Sequence, residues 1–281
     1  MEQVNARPER LTDPNTNRVR TVKRLSGRAF RVKSSQIRVE GPQAVAELCR
    51  FAPDAVKDIY VGELATGRRP DVVQLALQTT EWMHDCDDSV VNAMSSDGQG
   101  FIAVASRDAI DADLEQIAEQ VVASARPVVI CPQTQDPGNA GTLIRLADAF
   151  GAAGVVMCKG SADPAGPKVI RASAGSVFHL PVVADLTFDE VYDVLARKGT
   201  AFLGADGKGE VPLPVLSANK GPVGLGSPHA WVLGNEAHGL AEDQLEACTA
   251  TVSIPMSGQA ESLNIAAAAA LCLYASQQGR Q

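Results

Sequence analysis

Three segments in the second half of the chain carry polar residues that a plain strand-and-helix repeat does not require. The first is Pro137-Gly-Asn-Ala-Gly-Thr-Leu-Ile-Arg145. Its Pro and Gly break the chain, and Asn139 is placed to cap a helix whose first turn holds Gly141 and Thr142. Arg145 then falls six residues past that cap, an unhelpful place for a helix dipole that favours cations at the other end. The second segment, Gly234-Asn-Glu-Ala-His-Gly-Leu240, directly follows the apolar run 230–233. The third, Ile254-Pro-Met-Ser-Gly-Gln-Ala-Glu-Ser-Leu-Asn264, leads into an alanine-rich stretch. Each has a purely structural reading: a surface arginine on a capped helix, a turn in which Asn235 tolerates an unusual backbone angle, and a long connection with Glu261 near a helix start. Their chemical reading is the rim of a ligand site, because parallel sheets bind ligands beyond the carboxyl ends of their strands.

Other chemistries lack their signatures. Neither GxGxxG nor GxxxxGK[ST] occurs, so the two common phosphate-binding loops are missing. Gly204-Ala-Asp-Gly-Lys-Gly209 is glycine-rich and follows a strand, but it has the spacing of neither and reads as a flexible loop. His84, His179, His229 and His238 show no metal-ligand spacing, and no metal is expected. Gly-x-Ser-x-Gly, the serine-hydrolase elbow, is absent.

The elements that position the three segments follow from apolar patterning. Short apolar runs at 127–131, 154–158, 200–204, 230–234 and 251–255 read as strands. Helices are expected at 139–150, 168–178, 187–198, 240–247 and 262–277. Such alternation gives an α/β fold with a parallel sheet covered on both faces. Residues 37–105 read as a smaller α/β unit, with strands at 37–39, 58–61 and 101–105 and helices at 43–51 and 71–78. Between them, 108–125 is acidic and helical in pattern, with Leu114, Ile117, Val121 and Val122 on one face. The expected organisation is an N-terminal unit at 1–106, a helical connector at 107–126 and a catalytic domain at 127–281.

The 281 residues carry 25 Lys+Arg against 33 Asp+Glu, a net charge of −8 that argues against nucleic acid. Its distribution argues the reverse. Residues 1–40 hold ten basic and four acidic side chains, a net +6, which leaves −14 on the rest. A focused basic patch on an acidic body attracts polyanions locally. Val19, Val22 and Leu25 recur among those charges at helical spacing, so part of the segment is expected to be an ordered amphipathic helix. Six scattered cysteines without a CxxC pair exclude a disulfide scaffold and a zinc ribbon, and point to a reducing, cytoplasmic setting. The longest apolar run, 265–275, is half the length of a membrane span, and no secretory signal pattern opens the chain.

In order, N-x-G-T-x-x-R, G-N-E-x-x-G-L and I-P-M-x-x-x-x-E-S-L-N resemble the three motifs of the SpoU (TrmH) family, RNA ribose 2′-O-methyltransferases of the SPOUT superfamily. The run Asn17-Arg-Val-Arg-Thr-Val-Lys-Arg-Leu25, then Arg38-Val-Glu-Gly41 and Gln99-Gly100, is similar to the small RNA-substrate-binding domain that many members carry. The resemblance implies a C-terminal domain with a deep trefoil knot, S-adenosylmethionine as cofactor, and a homodimer formed through that domain. It implies Arg145 as the catalytic residue, with Asn139, Glu236, Ser262 and Asn264 positioning it, the donor or the substrate. Donor binding falls to Gly204, Leu233, Gly234, Ile254, Met256 and Leu263. RNA binding falls to Arg18, Arg20, Lys23, Arg24, Arg28 and Arg38. Aromatic residues make up only 4% of the chain, so recognition should rest on phosphate contacts and RNA shape more than on base stacking. Large-subunit ribosomal RNA is the expected substrate; a transfer RNA substrate and a catalytically silent RNA-binding or assembly factor are the alternatives.

Overall fold

The computed structural model describes residues 9–218, 220–235 and 238–280. The chain forms two compact units, one comprising the chain up to Ile110 together with Ala165–His179, the other comprising Asp111–Pro164 and the chain from Leu180 onward.

The first unit is built on a four-stranded mixed sheet of β1 (Gln36–Glu40), β2 (Val56–Gly62), β3 (Met83–Cys86) and β4 (Phe101–Ser106), in the order β1-β4-β2-β3. β4 runs antiparallel to both β1 and β2, whereas β2 and β3 are parallel. The strand at β3 and the helices at Arg28–Ser34 and Asp88–Met94 were not expected from the sequence. β3 reads Met-His-Asp-Cys, too polar to show as a strand; the buried His84 is satisfied there by a hydrogen bond with Asp58 (Nε2 to Oδ1, 2.8 Å). The amphipathic helix in the basic segment is present at Asn17–Arg24, capped by Thr16, and its Val19 and Val22 join Leu25, Tyr60, Val90 and Ile102 in one core. The basic segment is therefore an integral part of this unit.

Residues 165–179 leave the large sheet after its second strand and fold with the first unit. The expected long helix at 168–178 is instead a short one, Pro167–Ala172, followed by a left-handed turn at Ala174 and Gly175 and a 3-10 turn at Ser176–Phe178. A methyl group at Gly175 would come within 2.5 Å of the Glu47 Cβ, so this close approach requires glycine. Arg171 ties the segment to Glu40 and to Asp97, and His179 meets Glu47 at 3.2 Å.

The second unit is a seven-stranded, wholly parallel sheet. Its strands are β5 (Val128–Cys131), β6 (Gly154–Met157), β7 (Val182–Ala184), β8 (Ala201–Ala205), β9 (Val211–Pro212), β10 (His229–Leu233) and β11 (Ala250–Ser253), ordered β7-β6-β5-β10-β8-β11-β9. β7 and β9, of three and two residues, are too short to leave a pattern. Alternate side chains face opposite sides. Val128, Ile130, Phe202, Ala230 and Val232 pack under the helices Leu114–Ser124 and Phe188–Arg197. The expected connector helix thus belongs to the core of this unit through Leu114, Ile117 and Val121; Val122, expected on the same face, is exposed because it lies a further 100° around the helix.

On the other face the helices Pro137–Ala149 and Ile265–Gly279 pack together. The last helix is fixed by a buried hydroxyl. His229 Nδ1 lies 2.7 Å from the Ser227 carbonyl, which can only accept, so Nδ1 carries the proton. Ser276 Oγ then donates to His229 Nε2 at 2.7 Å and accepts from the Trp231 indole N–H at 2.8 Å. Every member of this group is satisfied, and burial pulls the His229 pKa down.

Candidate active site

A cavity of about 300 Å³ opens at the carboxyl ends of β10, β8 and β11, three neighbours in the sheet. The end of β8 and the loop after it contribute Ala205, Asp206 and Gly207; the loop after β10 contributes Gly234, Asn235 and Gly239; the segment after β11 and the start of the last helix contribute Ile254, Met256, Ser262, Leu263, Ile265 and Ala268. Leu233 and Val252, at the strand ends, complete the wall.

Short backbone contacts explain why these loops close so tightly. A Cβ on Gly234 would lie 2.4 Å from the Gly239 carbonyl carbon and 2.6 Å from the Leu240 nitrogen. Asn235 and Gly239 exchange two backbone hydrogen bonds of 2.9 Å, with Gly239 at φ +71°. The Asn235 side chain donates to the Gln133 carbonyl beyond β5 at 2.9 Å. After β8, the Asp206 N–H donates to the Val252 carbonyl, and its Oδ1 accepts the Lys208 N–H at 2.7 Å. The segment read from sequence as a flexible loop is therefore pinned at both its backbone and its side chain.

Of the residues expected to bind the donor, Leu233, Gly234, Ile254, Met256 and Leu263 all line the cavity. Gly204 does not. A Cβ there would press on Cys248 Sγ at 2.9 Å and on Leu240 at 3.1 Å, so this glycine serves packing beneath the loop, and Ala205–Gly207 take its place at the wall.

Asn139 is not the helix cap. Asp136 is: its Oδ1 accepts the Asn139 N–H at 2.8 Å, with Pro137 at the first helical position. That is the arrangement proline favours, and Asp-Pro was the signal for it. The Asn139 side chain instead accepts from Asn264 Nδ2 at 3.3 Å, while Asn264 Oδ1 caps the last helix through the Ala266 N–H at 2.8 Å. The first and third motifs thus meet at two adjoining helix N-termini. At the far end of the first helix, Arg126 donates to the Gly151 and Ala152 carbonyls and Arg280 to that of Phe150, which places cations at its negative end. Arg145 is exposed and lies outside the cavity wall. Six residues at 100° each turn it to a different side of the helix from Asn139. Ser262 lines the cavity; Glu236 lies outside the described residues. Among the described residues no group of His, Cys, Asp or Glu is arranged to hold a metal ion.

In the first unit, Arg18, Arg20, Lys23, Arg24 and Arg28 are exposed. Arg18 Nη1 lies 3.3 Å from both ring nitrogens of His84, a position over the ring face, and the other face of the column is the Tyr60 ring stacked at 5.0 Å. Arg24 covers the Phe30 ring at 4.2 Å. Arg38 is different: it is 6% exposed, paired with Glu40 at 2.6 Å, and donates to the Met94 and Lys23 carbonyls. Its guanidinium is consumed inside the unit and offers no surface for RNA. Arg31, buried against the Leu25 and Ser26 carbonyls, is likewise structural.

Residues 126–274 match the SpoU rRNA Methylase family. A 23S rRNA (guanosine(2553)-2′-O)-methyltransferase, RlmP of Bacillus subtilis, is 30% identical over 266 residues, 95% of this chain and 98% of the relative. A 23S rRNA (guanosine-2′-O-)-methyltransferase, RlmB of Nitrosomonas europaea, is 31% identical over 83% of this chain and 88% of its own length. The crystal structure of the SpoU methyltransferase AviRb from Streptomyces viridochromogenes, in complex with AdoMet, superposes with a TM-score of 0.77 at 26% identity, covering 94% of this chain and 99% of that one. The motifs, the sheet and the extent of these matches agree: the chain belongs to the SpoU rRNA methylase family.

Proposed function

We propose that this protein transfers a methyl group from S-adenosylmethionine to a ribose 2′-hydroxyl of large-subunit ribosomal RNA. The observation that carries the reading is the cavity at the ends of β8, β10 and β11, walled by the second and third motifs. Its size and its mix of apolar side chains with a few polar groups suit an adenosyl group. Leu233, Val252, Ile254 and Leu263 would enclose the adenine, and main-chain groups of the same loops would meet its polar edge. S-adenosylmethionine supplies an electrophilic methyl on a sulfonium that is its own leaving group.

Arg145 carries five N–H donors and no acceptor, so it serves as a cation and not as a general base. Its part is to hold the RNA phosphate and to stabilise the alkoxide as the hydroxyl proton departs. Asn139 and Asn264 lock the two helix starts beside the site, and aligning the ribose oxygen with the methyl carbon contributes much of the remaining acceleration, up to roughly 7–11 kcal/mol at best. Exposed Arg20, Lys23, Arg24 and Arg28 supply phosphate contacts. The loops around the cavity are read as the trefoil knot of the family. The exposed stripe Ala267, Leu271 and Tyr274 on the last helix is read as the face that pairs two copies.

The test is incubation of the purified chain with labelled S-adenosylmethionine and large-subunit ribosomal RNA, followed by mapping of ribose methylation. One methylated ribose is expected, from a protein sedimenting as a dimer. Bound donor without transfer to any RNA would leave only the silent binding factor.

A further inference from the structure

Among the described residues that wall the cavity, Asp206 is the single ionisable one; the rest are apolar or neutral. Its carboxylate is held in place before any ligand arrives. Oδ1 accepts the Lys208 N–H at 2.7 Å, the Asp206 N–H is bound to the Val252 carbonyl, and the Asp206 carbonyl accepts the Gly209 N–H at 3.0 Å. Oδ2 lies beside the Gly239 turn, 3.7 Å from where a Gly239 Cβ would stand, and both residues line the cavity.

We propose that Asp206 is the charge-sensing residue of the donor site and sets its preference for the cationic donor over the neutral product. This rests on the reading of the cavity as the S-adenosylmethionine site. The donor and the product, S-adenosylhomocysteine, share adenine, ribose and amino-acid groups and differ in one methyl and one positive charge. When the methyl moves to the ribose oxygen, the C–S bonding pair stays on sulfur, the sulfonium becomes a thioether, and the hydroxyl proton leaves to solvent. The carboxylate therefore faces a cation before transfer and a neutral group after it. A hydrogen bond would need one particular pose, but a charge interaction does not. A sphere of the cavity's volume is about 8 Å across, so any sulfonium inside it lies within about 8 Å of the carboxylate, and at an effective dielectric near 20 that separation is worth roughly tenfold or more in affinity. A neutral thioether gains nothing from it.

The experiment is calorimetry on the full chain and on Asp206→Asn, which keeps an Oδ1 acceptor for the Lys208 N–H and removes only the charge. Three ligands are compared: S-adenosylmethionine, S-adenosylhomocysteine, and sinefungin, which carries an ammonium in place of the sulfonium. The expected result is a roughly tenfold loss of affinity for S-adenosylmethionine and sinefungin, with S-adenosylhomocysteine unchanged, which at once reports an intact cavity. Equal losses for all three would assign the carboxylate to the shared adenosine, or to holding the loop, and overturn the proposal. No change for any of them would overturn it as well. Failure of the unsubstituted protein to bind all three would instead sink the assignment of the cavity.

Discussion

Gly207 and Gly234 both line the cavity, yet a methyl group added to each meets opposite surroundings. At Gly207 nothing stands within 4 Å. At Gly234 the new carbon would sit 2.4 Å from the Gly239 carbonyl carbon, 2.6 Å from the Leu240 nitrogen and 2.8 Å from the Gly239 oxygen, all backbone. Ordinary contact needs about 1 Å more, so in Gly234→Ala the turn must retreat, and the reciprocal Asn235–Gly239 hydrogen bonds stretch with it. Overpacking of this kind costs about 1–3 kcal/mol, and two weakened hydrogen bonds add about 1 kcal/mol between them. At about 2–4 °C per kcal/mol, the catalytic unit should melt roughly 4–16 °C lower. Gly207→Ala should melt within about 4 °C of the parent and no lower, since removing glycine freedom from the unfolded chain, a stabilising change, is the main effect left. Thermal unfolding of the ligand-free proteins reads this directly, and calorimetry should show S-adenosylmethionine affinity falling at least tenfold in Gly234→Ala. Equal melting temperatures for the two variants would refute the claim that close backbone approach, and not the mere presence of glycine, shapes this wall.

Replacing Arg145 with lysine keeps the charge but loses the planar fork, so the methyl-transfer rate should fall by about tenfold or more while donor affinity holds; full rate in Arg145→Lys would show that the fork does not matter. Arg20→Ala with Lys23→Ala should weaken RNA binding and reduce the slope of log affinity against log salt by about 0.7–0.9 per lost phosphate contact, whereas an unchanged slope would place RNA elsewhere. Arg38→Ala should instead destabilise the first unit by about 3–5 kcal/mol, because Glu40 keeps a buried charge with one partner fewer; denaturant unfolding distinguishes this from a binding defect. His229 is held neutral by burial, with its pKa below the unfolded value of about 6.5, so the unfolded chain binds the extra proton first and stability falls as pH drops below about 6.5. Melting curves between pH 7.5 and 5.5 should show that loss, and His229→Asn should flatten it.

These variants also show why a truncation is the wrong probe of the basic segment. Removing residues 1–36 would take Val19, Val22 and Leu25 out of a core that includes Tyr60 and Ile102, so lost RNA binding would report unfolding. Single charge changes on the exposed side of Asn17–Arg24 avoid this.

By itself the sequence determined the parallel α/β architecture, the positions of its main strands along the chain, and the three motif segments that wall and adjoin the cavity. Apolar runs and fixed spacings are local properties, and local properties survive in a one-dimensional string. Tertiary structure decided everything that depends on which distant groups approach one another. It made Asp136 the cap and gave Asn139 to Asn264, 125 positions away. It buried Arg38 with Glu40 and left Arg20 and Lys23 outside, although all were equal members of one basic count. It folded 165–179 with the first unit because Arg171 and His179 find carboxylates there. It also made Ala205–Gly207, inside the glycine-rich stretch of no known spacing, part of the cavity wall, by binding Asp206 to Val252 on the neighbouring strand. Net charge was −8 in the sequence; where that charge can act was settled only by which side chains the fold left with water.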